Sequence, residues 1–262
     1  MSFNPQEYWN ERLTNQFNLV GVGDISQTAN YNTWSYKVTD IVLTGIFKNC
    51  LKKHNNKSVL DIGSGTGFIV DIWSRITNKV CGIDIAEVAV DKLSDKYPLF
   101  TFKQCNVGMQ ALPFEPSSFS CCSAASVLYH IVEDELLQNA LKEIYRVLEP
   151  GGHFIFSDNF IHSSSINITH QKCRTLEDYE KLIKEAGFEI ISRQPNYVLF
   201  NDPVDSRNLF INKLWALNTR FSKKYKWFDK IIWPILFPFE ILLTKFCKES
   251  PAQEVMVCKA VK

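Results

Sequence analysis

The run Val59-Leu60-Asp61-Ile62-Gly63-Ser64-Gly65-Thr66-Gly67 constrains this chain more than any other segment. A short apolar, β-branched stretch from Ser58 to Ile62 stops at alternating glycines, and a segment of helical spacing follows from Gly67 to Thr77. Glycines let the backbone turn tightly and approach a ligand with no Cβ between them, and the helix that follows presents unpaired N–H groups. The spacing does not suit a dinucleotide. That fingerprint needs a glycine at position 68, where Phe68 stands, and no lysine of a phosphate loop follows. Asp61 before the turn would repel a diphosphate and attract an ammonium group.

After this turn, strand and helix patterns alternate. Strands are expected at Lys79–Asp84, Leu99–Cys105, Ser118–Ala125, His153–Ser157, Phe188–Arg193 and Glu254–Ala260, and helices at Ala86–Tyr97, Glu133–Leu148 and Leu176–Ala186. Glu149-Pro150-Gly151-Gly152 reads as a helix stop and turn. Such alternation predicts an α/β fold with a doubly wound, mostly parallel sheet whose ligand lies at the carboxyl ends of the strands. The expected organisation is an N-terminal helical cap over 1–50, a core over 51–200, a helical lid over 201–250 and a last core strand within 251–262.

At 262 residues, 45% of them apolar, the chain can bury a sizeable core. A net charge of +1 gives no general reason to expect nucleic acid as a partner. The polar start, MSFNPQEYWNERL, shows no secretory signal, and the eight cysteines show no CxxC pair or cluster spacing. Reduced thiols in a cytoplasmic protein are expected, with no metal site.

Asp84 ends the second strand, where a carboxylate can accept from both hydroxyls of a ribose. Asn106 follows the third, where an amide can read an adenine edge. Each also has a plainer reading, as a helix cap or a turn residue. The ordered segments VLDIGSGTG, GID, Asn106 with LPF, SCCSAASVLYHI and LKEIYRVLEPGGHFIFSD resemble the motifs of class I S-adenosylmethionine-dependent methyltransferases, over about residues 58–195. The resemblance implies a seven-stranded Rossmann-like sheet with an antiparallel last strand and S-adenosyl-L-methionine as cofactor. It also implies cofactor contacts at Asp61, Gly63, Ser64, Gly65, Gly67, Asp84, Ile85, Asn106, Val107 and Ser126. Asn106 stands where the family usually has Asp, and its amide oxygen still suits an exocyclic amine.

Methyl transfer needs an aligned acceptor and exclusion of water. A hydroxyl acceptor also needs a base, for which His130, just past the fourth strand, is the leading candidate. His162, near Asp158 and Asn159, is the weaker candidate, and His153 reads as structural. The aromatics Tyr8, Trp9, Tyr31, Trp34 and Tyr36 suit either core packing or closure over a sulfonium, with Tyr31 and Tyr36 as the expected contacts. No N/D-P-P-Y/F motif follows the fourth strand, so base flipping is not indicated.

Residues 201–250 are aromatic-rich and are expected to roof the acceptor pocket. Their nine-residue apolar run IIWPILFPF is too short to span a bilayer. Between Asp205 and Lys230 seven basic residues face two acidic ones, which suits a packed lid, a homodimer surface, or peripheral contact with the inner membrane surface through 220–247. The expected acceptor is a small molecule or glycan, methylated on a hydroxyl. The alternatives are N-methylation of a small amine, a non-catalytic cofactor-binding protein, and a nicotinamide-dependent oxidoreductase.

Overall fold

The computed structural model describes residues 3–168 and 170–262. Three capped helices open the chain. Asn4 accepts from the N–H groups of Gln6 and Glu7 at the start of α1 (Pro5–Asn15), Asn18 caps α2 (Leu19–Val22), and Thr28 caps α3 (Ala29–Leu51). One half of the sheet follows as β1 (Val59–Ile62), α4 (Phe68–Ser74), β2 (Val80–Asp84), α5 (Glu87–Lys96) and β3 (Thr101–Gln104). The other half begins with β4 (Phe119–Ala125), a single 3-10 turn at Leu128–His130, α6 (Asp134–Val147) and β5 (Leu148–Asp158). A two-stranded ribbon, β6 (Ile166–Ile168) and β7 (Gln171–Cys173), precedes α7 (Leu176–Glu185) and β8 (Phe188–Pro195). Then α8 (Leu209–Lys224) and α9 (Lys226–Phe246) lead into β9 (Glu254–Ala260).

The seven sheet strands run in the order β3-β2-β1-β4-β5-β9-β8, all parallel except β9, which is antiparallel to both neighbours. The order reverses between β1 and β4, so their carboxyl ends frame a crevice. Every residue of β1 is buried, because helices cover both faces. One layer packs Leu60, Phe154 and Phe156 against Leu141 and Ile144 of α6. The other packs Val59 and Val70 with Phe47 and Trp73, whose rings stack at 3.8 Å.

Three features depart from the sequence reading. Glu149–Gly152 does not turn the chain out of the sheet: Leu148 already pairs with Phe119, and Gly151, at φ +76°, lets an irregular strand start continue into β5. The β6–β7 ribbon is not among the expected strands: β6 is only three residues long, and Ile166, Asn167 and Ile168 are all exposed, so neither face of β6 packs on the core. The 201–250 segment is helical as expected, but α9 lies along α3, with Trp233 against Tyr31 and Trp34 against Phe237, rather than over the crevice.

Candidate functional site

The glycine turn is held by β2: Gly63 and Ser64 both donate N–H bonds to the Ile83 carbonyl, at 2.8 and 2.9 Å. Gly63 and Gly65 sit at φ +70° and +52°. A Cβ on Gly63 would lie 2.5 Å from Val127 Cγ2, and one on Gly65 would lie 3.0 Å from Val22 Cγ1 of α2. Conformation and space both exclude a side chain there. Gly67, also left-handed, caps α4.

Asp61 is buried beside this turn. Its Oδ1 accepts from Ser123 Oγ at 2.7 Å, and Ser123 Oγ accepts from Trp73 Nε1 at 2.9 Å. Its Oδ2 is buried with no partner. Burial pushes the Asp61 carboxyl up to about 7 against the lowering effect of its hydroxyl bonds. Asp84 is buried too, and its carboxyl is likewise raised by burial. Asp84 Oδ2 accepts from Gly65 N–H at 2.7 Å and Oδ1 from Ala86 N–H at 2.8 Å. It therefore fastens the glycine turn to the start of α5, and each oxygen keeps a second lone pair.

Ile85 and Val107 are half-buried along the same crevice edge, and Val107 leans on the core. Asn106 is half-buried, with its backbone tied to Gln110 and its amide donating to Met109 Sδ, so its oxygen is left for a ligand. Ser126, past the end of β4, holds φ +58°, a strained value for serine. It is pinned by Ser157 and by Gln253 Nε2, which donates to Ser126 Oγ at 3.0 Å.

His130 lies on the 3-10 turn that follows. Its Nδ1 is 3.1 Å from the His170 carbonyl, so Nδ1 carries the proton and Nε2 is the acceptor. Burial drops its pKa to about 4, and the bond to the His170 carbonyl offsets this only in part. Burial thus places His130 below the ordinary imidazole range. The roof over His130 is α1 and the ribbon: Trp9 meets His130 edge-on at 5.1 Å, and Tyr8 and Phe3 pack against His170. Arg12 locks this roof to α2 by donating to the Gly21 and Gly23 carbonyls at 2.6 and 2.7 Å.

Other sequence candidates fall elsewhere. Tyr31 is directed into the α3–α9 interface, donating to the Phe200 carbonyl at 2.7 Å and packing on Trp215 and Trp233. It does not face the glycine turn, because apolar helix packing claims its ring. Tyr36 does reach the first residue of α4, meeting Phe68 at 4.6 Å. His162 pairs with Asp205, Nδ1 to Oδ2 at 2.5 Å, away from the turn. His153 stands midway along β5, paired with Cys121, and not at the carboxyl end of the strand. Sequence reasoning missed Gln253 and the ribbon, which only tertiary pairing brings to this end of the sheet, and Tyr129, whose ring packs on its chain neighbour His130. Asp158, noted only as a neighbour of His162, proves to be buried, held by Tyr179 and Asn159 and raised by burial to about 7.

The residues fit S-adenosylmethionine: a side-chain-free cradle, an unpartnered buried carboxylate oxygen for an ammonium, and a second acid one strand over. Comparison with known proteins agrees. A methyltransferase domain model matches residues 60–156. A Mycolicibacterium smegmatis protein described as an S-adenosylmethionine-dependent methyltransferase is 25% identical over 178 residues, which is 66% of this chain and 65% of that protein. The ubiquinone/menaquinone biosynthesis C-methyltransferase UbiE of Citrobacter koseri is 27% identical over 114 residues, 41% of this chain and 44% of its own length. The chain thus spans less than two thirds of either relative. The [4+2]-cyclase SpnF shares the fold, with a TM-score of 0.53 at 19% identity, covering 84% of this chain and 80% of that one. Motif order, strand order and the relatives it matches converge: residues 60–156 match a methyltransferase domain, and the chain is similar to S-adenosylmethionine-dependent methyltransferases.

Proposed function

We propose that this protein methylates a hydroxyl of a small-molecule or glycan acceptor. S-adenosylmethionine, when bound, supplies a methyl group already activated by a sulfonium. Asp61 Oδ2 would take the ammonium of the amino-acid tail, Gly63 and Gly65 the tail's backbone-like atoms, Asp84 the ribose hydroxyls and Asn106 the adenine edge. The observation that carries this reading is the buried, unpartnered Asp61 oxygen beside a turn no side chain can enter.

His130 is the proton acceptor in this reading. With Nδ1–H given to the His170 carbonyl, Nε2 is free to accept the acceptor's hydroxyl proton. A pKa near 4 makes it a weak base toward an alcohol. As the carbon–oxygen bond forms, however, that proton becomes far more acidic than an imidazolium, so transfer is downhill late in the step. Trp9, Tyr8 and the ribbon exclude water from this end. UbiE is a C-methyltransferase, and a carbon acceptor is the second reading. Turnover of a panel of phenols, sugars and quinol-like compounds, with mass analysis of the product, decides it. O-methyl products support the proposal, and exclusive C- or N-methylation overturns it.

The acceptor site is further proposed to work at an anionic lipid surface. Helix α9 carries apolar residues on both sides: Asp229, Trp233, Glu240 and Thr244 face inward, whereas Trp227, Ile231, Ile235, Phe239, Leu242 and Phe246 stand exposed in one stripe. Glu240 is held by the N–H groups of Val198, Leu199 and Phe200, which fixes that orientation. Arg220, Lys223, Lys224, Lys226 and Lys230 stand exposed at the α8–α9 corner, matching anionic headgroups. No described helix is long and apolar enough to cross a membrane, so contact would be in the interface. Co-sedimentation with vesicles of anionic phospholipid at low salt, lost in Trp227→Glu/Phe239→Glu, supports this. Failure to sediment, or a dimer that buries the stripe, overturns it.

A further inference from the structure

We propose that His54, Cys121 and His153 form a site for one borderline-soft divalent cation, zinc(II) or a chemical equivalent, at the end of the sheet opposite the glycine turn. Cys121 and His153 are register partners on the adjacent parallel strands β4 and β5, so their side chains emerge on one face. That face is covered by α3, and His54 stands in the turn that ends it, its N–H bonded to the Leu51 carbonyl. One potential ligand atom from each of the three residues lies within 4.8 Å of the others. His54 Nε2 and His153 Nδ1 are 2.8 Å apart.

The donor set is one thiol and two imidazoles, the nitrogen and sulfur ligands this class of cation selects. The outer shell is already built. Glu149 Oε1 is 2.7 Å from His54 Nδ1, the arrangement in which a carboxylate fixes the tautomer and leaves Nε2 to a metal. Bonds of about 2.0–2.1 Å to nitrogen and 2.3 Å to sulfur, at tetrahedral angles, need ligand separations of about 3.3–3.6 Å. The two rings must part by about half an ångström, and the thiol must close in by rotation. On binding, Cys121 loses its thiol proton to solvent, while His153 moves its proton from Nδ1 to Nε2 without losing it, so one proton is released per ion. The fourth position is left to water on the side of Glu149, the most exposed of the four residues. A bound ion would tie the end of α3 to β4 and β5, a clamp between cap and sheet.

The three ligands are 67 and 32 residues apart, so cysteine and histidine spacing could not announce them. The test uses full-length, metal-stripped protein titrated with Co²⁺ and then Zn²⁺. A single Co²⁺ per chain with a thiolate charge-transfer band, displaced by Zn²⁺, is expected, together with a zinc-dependent rise in Tm. Cys121→Ser should lose the band, and Glu149→Gln should weaken Zn²⁺ binding about 10–100-fold. If Cys121→Ser does not fold, His54→Gln, in a turn, serves for the same loss. No charge-transfer band, a band that survives Cys121→Ser or His54→Gln, or an unchanged Tm with Zn²⁺ would leave only a hydrogen-bonded histidine pair and overturn the site.

Discussion

Gly65 donates its N–H to Asp84 Oδ2 at 2.7 Å, so the residue proposed to grip a ribose also holds the turn proposed to receive the amino-acid tail. Asp84→Ala is therefore expected to lower stability and cofactor affinity together. It strands two buried N–H groups, of Gly65 and Ala86, at about 1–3 kcal/mol each. Asp84→Asn keeps one acceptor and should retain part of both. Urea unfolding and cofactor titration on the same preparations check this; an unstable variant with normal affinity would leave Asp84 a purely structural cap.

Gly63→Ala should be severe for a compact reason. The new methyl would occupy a left-handed residue, costing about 1–2 kcal/mol, and would also press on Val127. A midpoint shift in urea larger than the backbone cost alone, with loss of cofactor binding, is the expected result. Unchanged unfolding would show that the turn is looser than its contacts indicate.

His130→Ala should lower kcat by about 10²–10⁴ if Nε2 takes the acceptor proton. Because burial holds its pKa near 4, the wild-type kcat profile should show no histidine titration between pH 8 and 5. A near-normal rate in the variant, or a profile breaking near 6.5, contradicts the assignment. The depressed pKa also makes a stability contribution that is complete above about 6.5 and is lost as pH falls toward 4.

Much of this fold is written in local pattern. β9 falls where its apolar run predicts, and β1, β2 and β4 start within one residue of theirs, because each strand is short, buried and bounded by turn or helix signals. The glycine turn is legible because its backbone conformation demands one residue type. Tyr31 is not, since an aromatic ring on an amphipathic helix reads alike whether it faces a ligand or another helix; here Trp215 and Trp233 decide. The roof over His130 is equally hidden, being assembled from α1 and a ribbon about 160 residues later. His130 shows the remaining limit: its position could be read, but its pKa belongs to a burial that only the tertiary structure supplies.

The central claim is that Asp61 receives an ammonium, and its ionisation tests this most directly. Burial raises Asp61 to about 7 in the free protein, whereas the bound cation requires the carboxylate. Calorimetric titration with S-adenosylhomocysteine, which keeps the amino-acid tail, should give one site per chain. The affinity should be full above pH 8 and fall about tenfold per unit as pH drops below 7, with the slope abolished and the affinity reduced in Asp61→Asn. A pH-independent affinity unaffected by Asp61→Asn, or a preference for a diphosphate nucleotide, would contradict it.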